Sequence, residues 1–158
     1  MMFKRRPKNP NDMNKDVKKY LKKFEKYLKK NDVDTEYNSS GALTFVTETK
    51  GGNNYSVIVN GERDTVWLTT LLSISKTSDE ISLLRAVNDL TGTKIQVTAH
   101  VEHNMNILML TMCFNATMTD NDIDAIMDSW WEGSEYALKR ITESTGIEID
   151  WSESLGTS

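Results

Sequence analysis

Cysteine is almost absent from this chain: Cys113 is the only one, and it sits in the apolar run 107–115. A lone thiol cannot build the disulfide framework of a small extracellular domain, so a reducing compartment is allowed and the expected location is cytoplasmic. Proline is nearly as scarce, and both residues, Pro7 and Pro10, fall among amide and basic residues with little to bury. Residues 1–11 are therefore expected to form a disordered basic tail. No apolar segment approaches the ~18 residues of a membrane helix, and no apolar region follows the charged start, so neither a membrane span nor a secretory leader is expected.

Chemistry-bearing clusters are scarce too. His100 and His103 are the only histidines; on a strand they would point to different faces, and no second ligand pair lies near them, which argues against zinc. Asp120, Asp122, Asp124 and Asp128 lack the glycine and the terminal glutamate of a calcium loop, and suit the positive end of a helix dipole. Gly51-Gly52 is followed by neither Lys-Ser nor Lys-Thr, and no helix opens there, so it is not a phosphate loop. Cys113 makes no nucleophile–base pair with either histidine, and a buried structural thiol is expected. No catalytic residue, metal or cofactor is assigned, and the chain is not expected to be an enzyme.

What is present is a well-patterned fold. The length of 158 residues suits one domain, expected over 12–151 with 152–158 as a C-terminal tail. Its organising stretch is 64–101. Val66-Trp67-Leu68-Thr69-Thr70-Leu71-Leu72-Ser73-Ile74 is a nearly continuous apolar and β-branched run, suited to a central strand buried on both faces. Thr77-Ser78-Asp79-Glu80 offers a capping box for a helix whose buried stripe would be Ile81, Leu84, Val87 and Leu90, closed at Gly92. Ile95, Val97, Ala99 and Val101 then alternate as a strand.

Around that unit, Val17, Tyr20, Leu21, Phe24, Tyr27 and Leu28 keep one helical stripe opposite a row of lysines, and Asn31-Asp32 ends the helix. Residues 33–37 read as a short strand or an extended link. Two β-rich runs, 43–48 and 55–60, flank a loop at 49–54, and Asn60-Gly61 signals a tight hairpin turn into the central strand. A second hairpin joins 94–101 to 107–115. A last helix, capped near Thr119, carries Ile123, Ile126, Met127, Trp130, Ala137, Leu138 and Ile141 inward, with Gly133-Ser134 as the place where it bends or a neighbour approaches. Residues 147–150 alternate as a short strand.

The order α-β-β-β-α-β-β-α defines an α+β domain with an antiparallel sheet of about five strands. Over about 18–141 it resembles the YbjN family of bacterial sensory-transduction regulators, which has a type III secretion chaperone-like fold. The matching features are the leading amphipathic helix, three strands, the mid-chain helix Leu83-Leu84-Arg85-Ala86-Val87-Asn88-Asp89-Leu90, two long strands, and the closing helix with Tyr136. The resemblance implies that fold, a homodimer and a non-enzymatic role, and it carries over no site residue.

Charge is segregated. Residues 1–30 hold 12 Lys and Arg against 3 acids, a net +9, while the rest holds 7 against 20, a net −13. Either an anionic partner meets the first helix, with Lys18, Lys22 and Lys26 as its face, or the basic helix settles on the acidic body. No aromatic residue joins those lysines to stack bases, which argues against nucleic acid. Trp67, Trp130 and Trp131 exceed what a small core needs. Adjacent tryptophans on a helix point about 100° apart, so one of the pair faces a partner, or Trp131 lies against the sheet edge or the first helix.

Three functions follow as expectations. They are a dimeric regulatory domain that binds another protein, a secretion-chaperone-like module that captures an extended polypeptide, and an anion-binding module built on the first helix. The dimer would cover a sheet edge that carries neither proline nor closely spaced lysine; in a monomer, 147–151 would cover it.

Overall fold

A computed structural model describes residues 15–75, 79–91, 96–102, 104, 106–115 and 120–155. The elements are helices α1 (Lys15–Lys30), α2 (Glu80–Thr91) and α3 (Asp120–Thr145), and strands β1 (Thr35–Tyr37), β2 (Leu43–Glu48), β3 (Asn54–Glu62), β4 (Thr65–Ile74), β5 (Thr98–Glu102), β6 (Ile107–Asn115) and β7 (Ile149–Leu155). The strands form one antiparallel, seven-stranded sheet in the order β1-β2-β3-β4-β6-β5, with β7 added on β4. The α+β class and the antiparallel sheet agree with the sequence; β1 and β7 raise the strand number above the expected five.

The long apolar run becomes β4, the strand with most partners, but it is not buried on both faces. Val66, Leu68, Thr70, Leu72 and Ile74 are buried, while Trp67, Thr69, Leu71 and Ser73 between them are half-exposed. A strand's side chains alternate between faces, and the helices cover only one face of this sheet. β6 takes one edge of β4 along 65–73, and β3 takes the other along 65–69. Where β3 leaves, Thr70 Oγ1 donates to the Ser56 carbonyl at 2.7 Å, and β7 takes over the vacated edge along 71–74. Residues 152–155 are therefore strand rather than tail, because β4 has backbone groups there that need partners. β7 sits inside the sheet and covers neither outer edge, which belong to β1 and β5.

Two further expectations are corrected. Asn60 and Gly61 lie within β3, and the turn falls two residues later, where Arg63 takes φ 58° between the paired residues Glu62 and Thr65. Gly61 answers a packing need: a Cβ there would meet Val17 Cγ1 at 2.6 Å and the Thr65 carbonyl oxygen at 2.7 Å. The glycine lets α1 lie directly on the sheet. The phase of α2 also differs. Leu83, Ala86, Val87 and Leu90 are buried, whereas Ile81 and Leu84 are 64% and 48% exposed. The cap is Asp79, which accepts the Ser82 N–H at 3.0 Å and the Ser82 hydroxyl at 2.6 Å. The hydrogen bonds from Ser82 hold the Asp79 carboxyl below its ordinary pKa.

The other helices follow their stripes. In α1, Val17, Tyr20, Leu21, Phe24 and Leu28 are buried. Asp32 closes the helix at φ 59° while the Val33 N–H reaches back to the Leu28 carbonyl at 2.9 Å, the left-handed closure in which a C-terminal carbonyl gains a donor. In α3 all seven expected inward residues are buried. Gly133 admits Val97, whose Cγ2 would lie 2.6 Å from a Cβ at that position. The tail at 1–11, the cap residues Thr77 and Thr119, Gly92, Ile95, His103 and residues 156–158 lie outside the described residues.

Candidate interaction surfaces

The sheet separates the tryptophans. Trp130 is fully buried, its Nε1–H donating to the Tyr55 hydroxyl at 3.2 Å, with Ser134 Oγ 3.4 Å from the same hydroxyl. Burial pushes the Tyr55 pKa up, against the hydrogen bonds from Ser134 and Trp130. Trp130 therefore belongs to the core and is removed from the expected interaction surface. Trp131, one residue and about 100° further round the helix, is 39% exposed. It leans on β2, its Nε1–H donating to Thr47 Oγ1 at 3.0 Å. Trp67 lies on the opposite, uncovered face, between Asn60 and Cys113 in the register of the sheet. Trp67 and Trp131 cannot form one patch.

The uncovered face is a mixed surface. One row across it runs Thr44, Ile58, Thr69, Thr111, Thr98, and another brings Leu71 beside Met109 and Met109 beside His100. Thr69 and Thr111 approach to 3.4 Å through their hydroxyls. Cys113 is exposed on this face rather than buried, because the β6 residues that face the helices are Leu108, Leu110 and Met112. His100 lies 3.9 Å from Glu102 Oε1 and is exposed. Among the described residues no three His, Cys, Asp or Glu side chains are grouped to hold a metal.

A shallow groove between the 49–53 loop and the end of α3 is lined by Glu135, Lys139, Thr142, Glu148 and Trp151. Its Glu135 carboxylate already accepts the Lys50 backbone N–H at 2.7 Å.

Two surfaces stand out, one that the sequence did not single out and one that it did. The first is the outward side of α2, where Ile81 and Leu84 sit one turn apart, on a helix that packs on β5 and α3. Six of the twelve residues of α2 are aliphatic, more than a single buried stripe takes up, and that excess was the available signal. The second is the outer face of α1. Lys18, Lys22 and Lys26 lie along it, all exposed. Its borders are fixed by two tyrosines. Tyr27 donates to Asp124 of α3, and that hydrogen bond raises the Tyr27 pKa to about 12. Burial and a hydrogen bond to Glu25 likewise raise Tyr37 to about 12. Glu25 is held below its ordinary value by the hydrogen bonds from Tyr37 and Lys29.

Known structures share this sheet, with its helices on one face and its other face open. YbjN from E. coli, a proposed transcription regulator, matches with a TM-score of 0.64 at 11% identity, over 82% of this chain and 96% of its own. An uncharacterized protein from Methanothermobacter thermautotrophicus matches with a TM-score of 0.58 at 14% identity, over 80% and 99%. The HopA1–SchA chaperone–effector complex contains a chain that matches with a TM-score of 0.56 at 9% identity, over 82% and 98%. At these identities the likeness establishes the fold, which is the one implied by the resemblance drawn from the sequence. No protein-family model matches the chain, and no curated protein sequence does. No helix among the described residues is long and apolar enough to cross a membrane.

Proposed function

We propose that this chain is a non-enzymatic, cytoplasmic regulatory domain that works as a two-fold dimer and binds another protein. The observation that carries the reading is the outward face of α2. Ile81 and Leu84 are large aliphatic side chains exposed to solvent, and β5, a strand that α2 packs on, ends the sheet. A strand that ends a sheet and large apolar side chains in solvent are both features that proteins normally cover. A two-fold axis beside α2 would cover both at once, since most soluble oligomers are closed and symmetric. The fold shared with YbjN supports a regulatory role.

Light scattering across a dilution series tests the dimer. A mass near twice 18.0 kDa is expected, falling to the single-chain mass in Ile81→Asp/Leu84→Asp. A single-chain mass for the unmodified protein at every concentration overturns it.

A second reading, capture of an extended polypeptide, is favoured by the likeness to a chaperone–effector complex and by the two sheet-end strands, β1 and β5. Hydrogen exchange separates it from the first. A captured segment protects the outer amides of β1 or β5 only when the partner is added, whereas a dimer protects β5 at every stoichiometry.

A further inference from the structure

Eight lysines lie between Lys15 and Lys30, and every one is exposed. At about 100° per residue they spread evenly over an arc of about 140° and a length of about 24 Å, opposite the buried stripe of Val17, Leu21, Phe24 and Leu28. Lys29 is held by Glu25 at 3.1 Å; no other lysine of α1 has an ion-pair partner among the described residues. Among the described residues, no carboxylate outside α1 forms an ion pair with a lysine of this face. The contact that α3 makes with it spends Asp124 on the Tyr27 hydroxyl rather than on a lysine. Like charges at i,i+3 and i,i+4 spacing oppose helix formation, so the packed stripe holds together a surface that its own charges work against.

We propose that this face adsorbs the domain onto an anionic lipid surface. Its shape favours a plane over a groove. Glu25 on one flank and the Tyr27–Asp124 pair on the other lie about 90° and about 110° from the centre of the lysine arc. A flat surface meets only the lysines. A nucleic-acid groove closes on the flanks of a helix and would bring those carboxylates against phosphates. The face also lacks what reads nucleic acid: α1 contains no Arg, Asn or Gln for base edges, and of its two tyrosines, Tyr20 is buried and Tyr27 is turned to Asp124, which leaves no ring for stacking. No apolar side chain stands on the lysine face to enter the acyl layer, so attachment is electrostatic, reversible and screened by salt. The proposal uses α1 and not α2, and stands apart from the protein-partner reading.

The full chain is sedimented with vesicles of phosphatidylcholine alone and with vesicles in which about a third of the lipid is phosphatidylserine, at low salt and at about 0.5 M, where screening shortens to a few ångströms. Binding is expected to the anionic vesicles at low salt only. Lys18→Glu/Lys22→Glu/Lys26→Glu should weaken it by at least about tenfold, given the attraction contributed by each lysine near such a surface. Lys18→Gln/Lys22→Gln/Lys26→Gln gives a smaller loss and serves if the glutamate variant unfolds by circular dichroism. No binding at low salt, equal binding to neutral vesicles, undiminished binding by a folded variant, or tighter binding to a DNA duplex at equal phosphate would each overturn the proposal.

Discussion

Leu83 and Leu84 are neighbours in sequence with opposite fates, and truncating each measures the phase of α2 directly. Leu83 is fully buried where α2 packs on β5 and α3, and Leu84 is 48% exposed. Leu83→Ala deletes three carbons, about 2.4 kcal/mol of transfer free energy at ~0.8 per methylene. The unfilled cavity brings the expected loss to about 2–5 kcal/mol. Leu84→Ala removes atoms already half in water and replaces a good helix former with a better one, so its effect should stay within about 0.5 kcal/mol. Urea unfolding followed by far-ultraviolet circular dichroism compares the two at unchanged m-value. If the protein is dimeric through α2, the Leu84 variant loses stability only at concentrations where the dimer forms, so the pair is measured across a dilution series. Equal losses at high dilution, or a loss for Leu83→Ala below about 1 kcal/mol, would refute the assignment of the buried face.

Gly61→Ala should destabilise by about 1–3 kcal/mol through overpacking, and adding Val17→Ala should recover only part of it, because the Thr65 carbonyl 2.7 Å from the new Cβ remains; full recovery by the second change would show that the backbone contact is unimportant. The Glu25 carboxyl is held below its ordinary value of 4.5 by the hydrogen bonds from Tyr37 and Lys29. Its contribution to stability is therefore present above about pH 4.5 and is lost as pH falls through its lower folded value. Glu25→Gln should be less stable than the unmodified chain at neutral pH, and the two should converge in acid; a gap that widens on acidification contradicts the sign.

Much of the architecture was legible because it is written at short range. The stripes of α1 and α3 have unambiguous periodicity: residues such as Phe24 and Ile123 recur at helical spacing among polar neighbours, and whatever packs on the helix must meet that side. The long β-branched run of β4 specified a strand with many partners for the same local reason. The aliphatic residues of α2 satisfy two stripes about equally. Only the arrival of β5 and α3 on one side buried Leu83 and left Ile81 and Leu84 outside. The polar segment 151–155 carries no strand signal; it became β7 because β3 departs from β4 and leaves unpaired backbone groups beside it. Asn60-Gly61 has the composition of a turn, but the Gly61 position answers Val17, which lies 44 residues away in the chain. Trp130 and Trp67 look alike in sequence, and the sheet between them puts one in the core and the other on the open face. Periodicity tells which residues share a side of an element. Which side is covered depends on elements distant in the chain, and that was decided only when they packed together.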